Sequence, residues 1–305
     1  MTELILHHYD LSPFSEKIRI ALSYKKLDWL SVEISIWPPR PDLAPMMAGY
    51  RRAPVLQIGA DVYCDTLLIL RELDRRHPSP TLYPGAQLGL VGVLSLWADE
   101  KMFMSGATLT TSIIGDGVPE AFLKDRIGFM KHDFSKAASL RELPLNTQRM
   151  HAAMNWLADM LRDGRAFLLG DALSAADLSA YHPLWFIAKN GGEEAQAMLP
   201  YAPLRAWMDR IGAIGHGRRT ALVAEEALAI ARRATPAAVG GVAANDPCGL
   251  NSGDAVLVRT EEAGEPIRGT LVAANADAFV IRNENERAGV VHVHFPRVGY
   301  NLLAA

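Results

Sequence analysis

The chain has 305 residues, long enough for roughly two domains and for a sizeable buried core. Its 31 Lys and Arg against 34 Asp and Glu leave a formal charge of −3, with no basic surplus to hold a nucleic acid. Two cysteines, Cys64 and Cys248, make neither a disulfide framework nor a zinc cluster. Met1-Thr2-Glu3 runs straight into a strand pattern, so no secretory leader is expected, and the longest uncharged run, His77 to Ala98, is broken by Pro78, Pro80 and Pro84 near its start. What remains of that run is too short to span a bilayer. The expectation is a cytoplasmic protein in a reducing compartment, with no membrane partner.

In chain order, Glu3–His8 reads as a short apolar strand. Ser12-Pro13-Phe14-Ser15-Glu16 then combines an N-cap serine, a proline at the first helical position and an acid in the first turn. Trp29–Ile36 reads as a second strand, followed by a rigid Trp37-Pro38-Pro39-Arg40-Pro41 loop and a short helix near 42–48. Tyr50–Arg76 is the most informative stretch. Arg51 and Arg52 precede Ala53-Pro54, then Val55-Leu56-Gln57-Ile58 and Val62-Tyr63-Cys64 form a hairpin about Gly59-Ala60-Asp61. Asp65 caps a helix whose face carries Leu67, Leu68, Leu70 and Leu73. A proline at a strand start beside a turn is one of the few places for a cis peptide bond. A cis bond at Pro54 is expected to turn the backbone of Val55 outward as an edge for an extended peptide. The start of the 65–76 helix offers N–H groups for a carboxylate. The element order β-α-β-α-β-β-α matches a thioredoxin-like fold.

Pro54-Val55-Leu56, followed by Asp65-Thr66 at a helix start, resembles the glutathione-binding half of glutathione S-transferases. The segment SPFSEKIRIAL from Ser12 is similar to the active-site segments of the zeta-like and omega-like classes. The resemblance implies glutathione as cosubstrate, with its cysteinyl backbone on Val55 beside Pro54 and its γ-glutamyl end at Asp65 and Thr66. Arg51 or Arg52 would meet a carboxylate, and Ser12 would hydrogen-bond the thiolate, Ser15 being the alternative. The family more often carries Glu/Gln-Ser where this chain has Asp65-Thr66, and Gly-Lys where it has Arg51-Arg52. Ser12 serves equally as a helix cap, and the two roles are compatible. Neither Ser12 nor Ser15 supplies sulfur, so disulfide exchange through this segment is excluded. Cys64 reads as a small buried hydrophobe, Tyr9 as packing, and His7 and His8 as structural.

Pro78 to Gly85 reads as a linker, after which the pattern is helical from about 86 to 234. Gly170-Asp171-Ala172-Leu173-Ser174-Ala175-Ala176-Asp177-Leu178 carries the strongest local signal, a capping box between Ser174 and Asp177 with Leu173 and Leu178 as a hydrophobic staple. It is also similar to an element of the transferases' helical domain. Met102 and Phe103 are candidates for the pocket of a small hydrophobic electrophile, although such a run equally fits a core.

Residues 235–245 have linker composition. Beyond them 254–259, 267–274, 278–283 and 290–295 alternate as short strands, separated by Glu-Ala-Gly-Glu, Asn-Ala-Asp and Asn-Glu-Asn-Glu turns. His292 and His294 share one strand face without a third ligand, so no metal is expected. The expected fold is a thioredoxin-like α/β domain over 1–80, an all-helical domain over 86–234 and a small all-β module over 246–305, in the manner of an SH3-like barrel. The resemblance implies a homodimeric glutathione transferase adding the thiolate to an electrophile. A glutathione-dependent isomerase or lyase, or a non-catalytic binding module of the same fold, are the alternatives.

Overall fold

The computed structural model describes residues 3–260 and 265–305, so most of the expected 262–265 turn lies outside the described residues. By packing, the chain forms two compact units: Met1–Ser12 with Asp28–Ile69 and Arg218–Ala305, and Pro13–Leu27 with Leu70–Gly217.

The first unit is built on one sheet. Strands β1 (Ile5–His8), β2 (Asp28–Glu33), β3 (Val55–Ile58) and β4 (Asp61–Cys64) form the thioredoxin-like part, with β1 parallel to β2 and antiparallel to β3. β3 and β4 are the expected hairpin, turning at Gly59, whose φ of 63° suits the residue without a Cβ. The expected helix near 42–48 is a single 3₁₀ turn, Ala44–Met46. A further strand, β5 (Arg218–Ala221), pairs in parallel with β2. All four of its residues are exposed, so no apolar alternation announced it within the helical pattern. It is followed by helix α9 (Ala224–Arg233), whose Ala227, Leu228 and Ala231 enter the core.

The C-terminal strands β6 (Ala255–Thr260), β7 (Ile267–Ala274), β8 (Ala278–Asn285), β9 (Gly289–Pro296) and β10 (Tyr300–Ala304) are antiparallel in the order β10-β6-β7-β8-β9. Five strands are present where the sequence showed four. The added β10 is a short segment with no turn residues of its own beyond Gly299. Nor is the module a third packing unit. β9 runs parallel to β4, pairing Asp61 with His292, Val62 with Val293 and Tyr63 with His294, so one ten-stranded sheet runs through the unit. A single apolar cluster includes Ile5, Val55 and Val62 with Phe279, Val293 and Phe295. Asp61, 3% exposed, seals the joint by accepting from His294 Nε2 at 2.8 Å and from the Ala237 N–H at 2.8 Å. The expected boundary at 234–246 is therefore a change of composition and not a packing boundary. The linker runs along the sheet, with Val242 bridged to Ala274.

The second unit is helical: α1 (Pro13–Tyr24), most of α2 (Thr66–Arg76), α3 (Leu88–Trp97), α4 (Phe103–Ile114), α5 (Glu120–Met130), α6 (Lys136–Met160), α7 (Ala175–Met198) and α8 (Arg205–Gly212). α3 passes into α4 through a π-helical turn, Ala98–Met102. Its Asp99 accepts from Lys17 of α1 at 2.6 Å and meets His182 Nε2 of α7 at 2.9 Å. Burial opposes the charge on Asp99, yet Lys17 and His182 together hold its carboxyl below the ordinary range. α7 opens on the expected capping box of Ser174 and Asp177. α1 thus packs with the helices, so the expected break between 80 and 86 is not followed by the packing either.

Candidate functional site

The sheet register gathers the candidate residues. His7 of β1 lies opposite Val55 of β3, and Val55 opposite Cys64 of β4. β1 leaves the sheet at this end towards Tyr9 and Ser12, β3 enters it here from Arg51-Arg52-Ala53-Pro54, and β4 leaves it here into Asp65-Thr66. Three segments distant in sequence therefore emerge at one end of one sheet.

Ser12 follows a tight turn in which its N–H donates to the Tyr9 carbonyl at 3.1 Å, and it is 1% exposed. Ser15 belongs to the helical unit and is fully buried. The Ala53–Pro54 bond is cis. The expectation that Val55 offers a free edge is overturned. Val55 is fully buried and registered with a strand on both sides, because β3 is an inner strand of the sheet. Ala53, the residue before the cis bond, lies outside the ladders and is half-buried. Sequence reasoning passed over it because only the register separates it from Val55.

Asp65 adopts φ 72°, a left-handed conformation that Asp tolerates better than most residues. It is half-buried, and its Oδ1 accepts the Leu67 N–H at 2.9 Å, capping α2. Thr66 is buried, at 5% exposure. Arg51 and Arg52 are half-buried, and the Arg51 carbonyl accepts from Arg40 at 2.6 Å. Cys64 is fully buried, and burial, with the Asp65 charge beside it, pushes its thiol well up, which leaves it an inert neutral group.

A residue from the far end of the sequence also reaches this end of the sheet. The Tyr300 hydroxyl, on β10, donates to Asp65 Oδ2 at 3.2 Å and lies 3.2 Å from the Tyr50 hydroxyl. No feature of the sequence near Tyr300 signals this contact. It depends on the β9–β4 pairing.

Met102 and Phe103 belong to the helical unit. Met102 is 2% exposed, a core position, whereas Phe103 is half-buried and stacks edge-on against Phe14 at 4.7 Å. His292 and His294 face Asp61, and no group of metal-ligating side chains occurs among the described residues. No described helix is long and apolar enough to cross a membrane.

Residues 6–81 match the family model of the glutathione S-transferase N-terminal domain, and residues 139–210 that of the C-terminal domain. Among curated proteins none matches the chain. The crystal structure of a GST-like protein from Pseudomonas syringae is 36% identical, over 100% of both chains, with a TM-score of 0.80. A glutathione S-transferase from Rhodospirillum rubrum F11 shares the fold at 23% identity, covering 69% of this chain and 87% of that one, with a TM-score of 0.51. Glutathione transferase F7 from Populus trichocarpa does so at 15% identity, covering 69% and 93%, with a TM-score of 0.50. With the Pseudomonas syringae protein 36% identical over the whole of both chains, both domain models matched and three candidate segments gathered at one end of a thioredoxin-like sheet, the chain belongs to the glutathione S-transferase family.

Proposed function

We propose that this protein binds glutathione at the end of the sheet formed by Ser12, Ala53-Pro54 and Asp65-Thr66, and adds its thiolate to a small apolar electrophile. The observation that carries the reading is the register His7–Val55–Cys64, which brings a hydroxyl, a backbone segment outside the ladders and a half-buried carboxylate to one end of one sheet. The backbone of Ala53, in place of Val55, pairs with the cysteinyl residue of the peptide. Asp65 receives the γ-glutamyl ammonium, Thr66 lies beside it, and Arg51 or Arg52 meets a carboxylate. Of the two electrophile-pocket candidates, both in the helical unit, Met102 lies in the core and Phe103 is half-buried. The Ser12 hydroxyl donates to the sulfur and stabilises it as thiolate, the thiol proton passing to solvent; the thiolate then forms the carbon–sulfur bond as the electrophilic carbon gives up its leaving group or its π-bond pair.

The test is the pH dependence of conjugation to an aryl halide between about pH 6 and 9.5. A free thiol ionises near about 8.5, and a hydrogen bond to a charged group of roughly 1.5–3 kcal/mol lowers that by about one to two units. Ser12→Ala should therefore lose roughly ten- to a hundredfold in rate near pH 7, and the deficit should shrink as the thiol ionises unaided. A deficit constant across the range would assign Ser12 to folding or positioning and not to the thiolate. The same deficit in Ser15→Ala would move the role to that residue.

The 1% exposure of Ser12 favours a second reading, a glutathione-binding protein of this family without thiol chemistry. It predicts retention on immobilised glutathione with no conjugation at any pH.

A further inference from the structure

We propose that Tyr300, on the last strand of the C-terminal module, is a positioning residue of the glutathione site. Its hydroxyl holds the Asp65 carboxylate in the orientation that receives the γ-glutamyl ammonium. The proposal rests on the role given to Asp65 above and deepens it, because it makes the added module part of the site.

The hydrogen bonds have a fixed direction. An ionised carboxylate only accepts, so the Tyr300 hydroxyl donates its proton to Asp65 Oδ2, at 3.2 Å. The Tyr50 hydroxyl, 3.2 Å from that of Tyr300, must then donate to the Tyr300 oxygen. The chain Tyr50 to Tyr300 to Asp65 ends on the carboxylate. Both phenols are nearly covered, at 6% and 5% exposure. Burial pushes both well above the ordinary tyrosine range, and the Asp65 charge adds to it, so Tyr300 remains a donor throughout the working pH range. The Tyr300 ring is itself held, packed against Phe295 at 5.5 Å between centroids.

The contact orients Asp65 without consuming it. A carboxylate has about four lone-pair sites. Leu67 N–H takes one on Oδ1 and Tyr300 takes one on Oδ2, which locks both torsions of the side chain. The remaining lone pairs belong to a residue that is still half-buried and not closed over. Fixing the acceptor before the ligand arrives removes an ordering cost from binding. A tyrosine on a separate, tethered domain would not do this. Here the module is hydrogen-bonded to β4, the strand that ends one residue before Asp65.

The test uses the full chain, with calorimetric titration at about pH 7 of glutathione and of its des-amino analogue, glutaryl-cysteinylglycine. Five forms are compared: wild type, Tyr300→Phe, Tyr50→Phe, Asp65→Asn and the double variant of Tyr300→Phe with Asp65→Asn, each with its melting transition recorded. Tyr300→Phe should weaken glutathione about two- to tenfold, the span of one net hydrogen bond. It should leave the des-amino analogue unchanged and add nothing in the Asp65→Asn background. Tyr50→Phe, which unsettles the same hydroxyl from its other side, is the second variant and should show a smaller loss of the same selectivity. Equal loss for both peptides, unaltered affinity, or a further loss on top of Asp65→Asn would overturn the proposal. Tighter glutathione binding in Tyr300→Phe would overturn it too, by showing that the hydroxyl competes with the ammonium. If the wild type binds glutathione no better than the des-amino analogue, the role of Asp65 itself falls and the proposal falls with it.

Discussion

At the scale of single residues, the hydrogen bonds of the sheet's interior fix the protonation of His7. Gln57 donates through Nε2 to the carbonyls of Gly59 at 3.0 Å and Ala227 at 2.8 Å, so its Oε1 is the acceptor facing His7 Nε2 at 2.8 Å. His7 is therefore the tautomer protonated at Nε2, and among the described residues its buried Nδ1 has no hydrogen-bond partner. Charging the ring would put a proton on Nδ1 with nothing to receive it. Burial lowers the His7 pKa to about 4, the Gln57 bond opposing this only in part. In the unfolded chain the same ring takes up its proton near about 6.5. Between those values the unfolded state binds more protons, so the contribution of His7 is intact above about pH 6.5 and is lost as pH falls towards 4. The shift corresponds to about 3 kcal/mol when complete. Denaturant titrations from about pH 7 down to 4 should show stability falling more steeply in wild type than in His7→Gln. Equal slopes would mean that the ring does not titrate in this window. Reading His7 as structural needed only the absence of a ligand partner in the sequence. Its partner Gln57 lies fifty residues away and was not visible there.

At the scale of elements, local chemistry and long-range pairing separate cleanly. The Ser-Pro helix start, the hairpin about Gly59, the cis proline site and the Asp65 cap are each written within a few residues, and each was legible. So was the capping box of α7, though its reach was not. Asp177 is fully buried, and its Oδ2 accepts from the Ser174 hydroxyl at 2.5 Å and N–H at 3.0 Å. Its Oδ1 accepts from the Leu168 N–H at 2.7 Å and from Trp207 Nε1 at 2.9 Å, which ties the loop before α7 and helix α8 to one carboxylate. Asp177→Ala leaves several buried donors without acceptors, each worth about 1–3 kcal/mol, so a loss of at least about 3 kcal/mol is expected in urea unfolding. A loss below about 1 kcal/mol, the scale of a simple cap, would show that the loop and helix contacts are dispensable. By contrast β5 has no apolar face, β10 is five residues long, and the parallel pairing of β4 with β9 joins residues more than two hundred positions apart. Each strand has its own local pattern, but pairing at that distance leaves no signal in either segment of which strand its partner is. The outward expectation for Val55 failed for the same reason, since which flank of Pro54 lies outside the ladders depends on partners on both sides.

At the scale of the whole molecule, the expected module over 246–305, set off by the composition break at 235–245, shares one sheet with β4, and its removal is expected to cost the fold. Ending the chain at Ala234 would strip β4 of β9 and expose its outer edge, an unpaired row that invites association with other chains. It would open the apolar cluster that Val55 and Val62 share with Val293 and Phe295. It would also leave Asp61, whose His294 and Ala237 partners both lie beyond the cut, as a covered carboxylate with those donors gone. The loss of Tyr300 would free the Asp65 side chain at the same time. The truncated chain should therefore be insoluble, or should melt without a cooperative transition, where the full chain melts cooperatively. Replacing Asp61 by Asn in the truncated chain removes the charge but restores neither edge nor cluster, so it should not rescue folding. The measurement is soluble yield and calorimetric unfolding of the full chain, the truncated chain and that variant side by side. A truncated chain that stays soluble, unfolds in one sharp transition and still binds glutathione as the full chain does would show that the thioredoxin-like part folds alone. The ten-stranded sheet would then be a docking of two independent bodies and not one core.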